Sequence, residues 1–132
     1  MTDDAMERLL AYHRRRYRLV NGWCMRFRIT AVEASESRPH GIRYAFTLHD
    51  VDMTRLLGFD NAHGVPRRQV FDHQHRFRRA DELVPYDFLD ADQLLVDFFD
   101  AVEQACRTDG VGFTIDAADL DEEGNDDEDV TE

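Results

Sequence analysis

The chain has 132 residues, 42% of them hydrophobic and 33% charged, enough for one buried core and too few for two. Its formal charge of -12 is unevenly placed: residues 1–110 carry 18 acids against 16 arginines, whereas residues 111–132 carry ten acids and no base. The body is therefore close to neutral with local basic clusters, which leaves anionic partners open. No apolar run approaches the roughly 18 residues of a membrane-spanning helix, and two cysteines with no leader segment point to a reducing cytoplasm.

Taken in chain order, Ala5, Met6, Leu9, Leu10 and His13 recur at helical spacing, and Asp4 with Glu7 forms a capping-box pair, so a short amphipathic helix is predicted near residues 3–13. Next, Asn21-Gly22 separates apolar-alternating runs at 17–20 and 23–32, which predicts a hairpin closed by a two-residue type I′ turn. Trp23, Met25, Phe27 and Ile29 take the core face; Cys24, Arg26, Arg28 and Thr30 take the other. After the loop ASESRPHG, Ile42, Tyr44, Phe46 and Leu48 repeat the inward pattern in a third strand, with Arg43, Ala45, Thr47 and His49 outward. A fourth strand is predicted at 54–60, and 70–78 is a candidate fifth. Asp90 and Gln93 form an N-cap and N3 pair opening a helix over 91–107 that ends near Gly110, with Leu94, Leu95, Phe98, Phe99, Val102 and Ala105 on one stripe. A short strand is possible at 111–115, and the remaining acidic residues are too charged to order themselves.

These elements predict an α+β fold: one domain over 1–115, a curved antiparallel sheet of four to five strands packed on one face by the C-terminal helix, a short N-terminal helix at an edge, and a disordered acidic tail over 116–132. The tail reads by default as a solubility element. A sharper reading is that its ten carboxylates mimic nucleic acid and cover the arginine face until a partner displaces them.

Chemistry concentrates in LGFDNAHGVPRRQVFDHQHRFRR, residues 57–79, where three histidines and five arginines surround a Gly-Pro break. Asp60, Asn61 and His63 fall at a strand rim. In an extended second run, Phe71, His73, His75 and Phe77 share one face, and Asp72, Gln74, Arg76 and Arg78 the other.

The run RRYRLVNGWCMRFRI, the loop ending SRPHGIRYAF, the strand-to-loop LLGFDNAHG, the HQHRF segment and the helix entry YDFLDADQLLVDFFDAVE follow one another in an order that resembles TumE-like small bacterial proteins. The resemblance spans residues 8–106, and its most distinctive parts are Asp60, Asn61 and Gly64 with the His-x-His of His73 and His75. It implies a toxin of a toxin–antitoxin pair, partnered by a helix-turn-helix antitoxin encoded beside it. It carries over no catalytic residue. The acidic extension after Gly110 departs from the short ending usual in that family.

Metal-independent RNA cleavage requires a base for the 2′-hydroxyl, an acid for the leaving oxygen and cations for the phosphorane. His63, His73, His75 and Arg76 supply those types as catalytic candidates, and Asp60, Asn61, Arg26, Arg28 and Arg43 are candidates for substrate binding. Against this stands the plain structural reading, in which the histidines cap a strand edge and bond Asp60 or Asp72, and the arginines form a solvated face. His73 and His75 at i, i+2 are able to reach one ion, with His63 or Asp60 as a third ligand, but no cysteine or second His-x-His closes such a site, so no metal or other cofactor is expected. The remaining alternative is a non-catalytic domain that grips its antitoxin, a nucleic acid or another cellular target.

Overall fold

A computed structural model describes residues 4–36, 40–61 and 72–120. Their elements are α1 (Asp4–Leu10), β1 (Arg15–Leu19), β2 (Cys24–Ala31), β3 (Ile42–His49), β4 (Arg55–Asp60), β5 (His73–Arg76), β6 (Arg79–Pro85), α2 (Ala91–Thr108) and β7 (Ile115–Leu120). The α+β class holds, but the sheet has seven antiparallel strands, in the order β6-β5-β4-β3-β2-β1-β7, rather than four or five.

Period-2 alternation in β2 and β3 builds the core directly. Met25, Phe27 and Ile29 lie in register with Leu48, Phe46 and Tyr44, and all six are buried under α2. The helix brings Leu94, Phe98, Val102 and Ala105 down onto that face. Its start is held as its sequence demands, with the Asp90 carboxylate accepting from the Gln93 amide at 2.8 Å, and its end turns at Gly110 with φ +77°.

Four details depart from the sequence reading. The first hairpin is closed by three residues, not two. The Gly22 amide donates to the Leu19 carbonyl at 2.9 Å, the Leu19 amide to the Trp23 carbonyl at 2.8 Å, and Gly22 but not Asn21 has positive φ. This is a type I turn followed by a left-handed glycine, with the Asn21 side chain accepting from the Trp23 amide instead of adopting the φ that a type I′ turn needs.

The N-terminal helix is also shorter than 3–13, and it lies over the core beside α2 rather than at an edge. Leu9 is fully buried, and Arg8 reaches Asp92 at 2.9 Å. Beyond the helix, His13 Nδ1 accepts from the Ile29 amide, and Arg14 at φ 71° bends the chain into β1.

The outer strand β6 escaped the sequence reading, and β7 starts only where the strand expected at 111–115 ends, because neither has an apolar alternation. RADELVP at β6 is an edge segment ending in proline, joined to β5 by the two-residue turn Phe77-Arg78. The sequence IDAADL of β7 begins at Ile115 and runs on through five residues read as tail. All six of its residues are exposed, and it owes its strand form to backbone pairing with β1.

Among the described residues, no helix is long and apolar enough to cross a membrane.

Candidate functional site

The helices cover one face of the sheet, and strand register assembles the other. One cross-strand row reads Asp119, Arg16, Arg26, Thr47, Gly58, His75 from β7 to β5. A second reads Arg28, Ala45, Asp60 with His73 as the backbone partner of Asp60, and a third places Arg18, Cys24, His49 and Arg55 together. Arg43 joins this face opposite Thr30. Six arginines, at 16, 18, 26, 28, 43 and 55, are therefore gathered on one face of a body whose net charge is near zero.

The centre of that face is floored by small side chains. Gly58 lies between Thr47 and His75, and a Cβ there would approach the Phe46 carbonyl oxygen and the Thr47 methyl at 3.2 Å each. Ala45 lies between Arg28 and Asp60. Around this floor, His75 Nε2 stands 3.6 Å from Asp60 Oδ2, both side chains being about nine-tenths buried at 11% and 6% exposure. That is ion-pair range and beyond a direct hydrogen bond. Arg28, only 8% exposed, is unusually buried for a guanidinium.

Of the sequence candidates, Arg26, Arg28, Arg43, Asp60 and His75 thus share one face. His63 lies outside the described residues. His73, on β5, is the backbone partner of Asp60. Arg76 does not join them. Gln74 is in register with the core residue Phe59, and Gln74 and Arg76 line a cleft of about 270 Å³ against Ala101, Gln104 and Thr108 of α2, on the helix side. Phe77 likewise turns to the helix side, 5.8 Å from Trp23, because the register shifts between His75 and Arg76.

Asn61 is engaged by the backbone. Its amide oxygen accepts from Tyr44 N at 2.9 Å, and its amide nitrogen donates to Ile42 O at 3.0 Å, so the side chain continues the β3–β4 ladder past the end of β4 and fixes the rim that holds Asp60. Asp72 faces the core side, accepting from the Tyr44 hydroxyl at 2.8 Å, and burial raises that phenol far above its ordinary range.

Sequence reasoning left three groups out of the site. Arg16 and Arg18 alternate with Tyr17 and Leu19, so the alternation rule applied to β1 would have found them. Arg55 needed the structure: the irregularity between Leu48 and His49 pairs it with His49, where plain alternation from Leu57 would have turned it inward. His49 is the third. Its Nε2 lies 2.9 Å from Thr47 Oγ1 and its Nδ1 3.3 Å from the Met53 carbonyl, and its pKa is lowered, first by burial and further by Arg26 and Arg55, against the opposing Met53 contact.

His49 is accordingly neutral in the folded protein at neutral pH. Because its folded value lies below the unfolded one, the stability it contributes is present above the ordinary histidine range and is lost as pH falls through the folded value. Ring NMR should show His49 titrating below an unperturbed histidine, and His49→Gln should flatten the acid-side loss of stability. An ordinary titration midpoint would refute the burial assignment.

Cys24 shares this face, and burial raises its thiol despite Arg16, Arg26 and Arg18 nearby, which keeps it protonated at neutral pH. Cys24 and Cys106 are both free thiols. Among the described residues, no three His, Cys, Asp or Glu side chains group as a metal site would require.

No curated protein and no solved structure matches the chain. A family model does: the one described as Toxin TumE matches residues 2–106, which take in β1 to β6 and α2 to within two residues of its end. The chain therefore belongs to the TumE family of toxins.

Proposed function

We propose that this toxin acts on RNA through the arginine-bearing face of its sheet, with His75 and Asp60 at the chemical centre. The observation that carries the reading is the near-buried His75–Asp60 pair standing over a floor of Ala45 and Gly58, flanked by Arg26, Arg28 and Arg43. Guanidinium groups gathered on one face suit the phosphates of a nucleic-acid strand.

In metal-independent cleavage, His75 would take the proton of a ribose 2′-hydroxyl. That oxygen then attacks the adjacent phosphorus, and the bond to the 5′ oxygen breaks, leaving a 2′,3′-cyclic phosphate and a 5′-hydroxyl. Asp60 stabilises the imidazolium, and the arginines stabilise charge on the phosphorane. His73 and His63 are the candidates for the acid that protonates the leaving oxygen, and Asn61 acts by holding the rim. Arg76, on the helix side, has no part in this version.

The family implies an antitoxin partner, and we propose one of helix-turn-helix type, encoded beside the toxin. Expression of this chain alone in bacteria should slow growth, with the neighbouring antitoxin restoring it, and the purified chain should convert RNA to cyclic-phosphate ends in the presence of a chelator. Absence of toxicity without antitoxin counts against the toxin assignment. Toxicity without cleavage favours a non-catalytic toxin that grips RNA or a protein on the same arginines, a reading supported by the placement of Arg76 away from His75.

A further inference from the structure

The arginine face is not left open along its whole length. At the β1 end, β7 pairs antiparallel with β1, and Asp119 meets Arg16 in a two-bond fork, Nε to Oδ1 at 3.0 Å and one terminal nitrogen to Oδ2 at 3.0 Å. That planar, doubly bonded arrangement is the one guanidinium adopts toward a phosphate. Arg16 and Arg18 also line, with Gly22, Cys24, Asp50, Val51 and Met53, a cleft of about 260 Å³ on the same face. A smaller one of about 90 Å³ is closed by Ala117 and Asp119 themselves.

We propose that β7 is a tethered competitor for RNA, in which the Asp119 carboxylate occupies, within the same chain, a phosphate-binding fork belonging to Arg16.

The proposal rests on the RNA reading above and adds its regulation. Three further observations support it. All six β7 residues are exposed, so the strand has no apolar anchor and comes away at low cost. The chain just before it is fastened, with Phe113 against Phe99 at 6.4 Å between ring centres and the Val20 amide donating to Thr114 O at 3.0 Å; release therefore leaves β7 attached at a fixed pivot and at high local concentration. And β7 lies beyond the 2–106 family match. An exposed ion pair is weak, as a competitor that must yield to substrate has to be.

The test is anisotropy with a fluorescently labelled mixed-sequence single-stranded RNA at several salt concentrations. It compares the full chain, Asp119→Ala, a chain ending at Thr114 and a chain ending at Leu120. Asp119→Ala should bind about two- to five-fold more tightly than the full chain, and the Thr114 chain by a similar factor more tightly than the Leu120 chain, the worth of one exposed ion pair. Their salt dependence should steepen by roughly one, the signature of one added phosphate contact, so the advantage shrinks as salt rises. Adding Arg16→Gln to Asp119→Ala should remove the gain.

Several results would overturn the proposal. If the full chain binds RNA and Asp119→Ala binds no better, the competitor is refuted while the RNA reading stands. If none of the chains binds RNA, the RNA reading falls and takes the proposed ligand with it. An equal gain in the Leu120 and Thr114 chains, with none in Asp119→Ala, would move the competition to residues 121–132. A gain in binding the antitoxin but not RNA would make β7 a cover for a protein interface instead.

Discussion

Phe98→Ala should destabilise the fold by about 3 to 5 kcal/mol in denaturant unfolding, among the largest losses available to a single substitution here. Phe98 is wholly buried at the centre of α2, and its ring meets Phe27 at 5.3 Å, Phe46 at 5.7 Å and Phe59 at 6.0 Å, mostly edge to face, so one side chain joins three successive strands to the helix. The facing strands are locked in register, which limits how far the site is able to collapse around the missing ring. A loss under about 1 kcal/mol would show that the helix seats differently on the sheet. The neighbouring Phe99 provides the contrast, since it is only partly buried and its substitution should cost less.

His75→Gln should lower RNA cleavage by about 10²- to 10⁴-fold with little change in RNA affinity, the range expected when a positioned proton-transfer group is removed. Asp60→Asn should cause a smaller loss through the same route, because the amide keeps the shape but no longer stabilises an imidazolium. Changing His73 and His75 together should abolish toxicity while leaving folding and antitoxin binding intact. By contrast, Arg28→Gln and Arg43→Gln should weaken RNA binding and reduce its salt dependence, since they act on phosphates. A fully toxic His73, His75 double variant would make the binding toxin the better account. Arg76→Gln is the internal control: as its side chain lines the α2 cleft, it should leave cleavage rates near those of the unchanged chain.

The sequence by itself determined whatever local periodicity and short-range chemistry specify. The apolar alternation of β2 and β3, the helical stripe ending in Ala105 and the Asp90–Gln93 cap each define an element within a few residues, and burial of their apolar faces against one another permits little else. The location of Arg26, Arg28 and Arg43 on a common face followed from the same alternation.

What only the tertiary structure decided are features that depend on a neighbour. The outer strands β6 and β7 lack an apolar pattern and exist because β5 and β1 offer unpaired backbone edges. Arg55 reaches the arginine face through one irregularity in the β3–β4 ladder, and Phe77 leaves the histidine face for Trp23 on the helix side, whereas the separation of Arg76 from His75 was already given by alternation. The pairing of Asp60 with His75, and of Asp119 with Arg16 across more than a hundred residues of chain, comes from strand register, which side-chain composition constrains only after the sheet has formed.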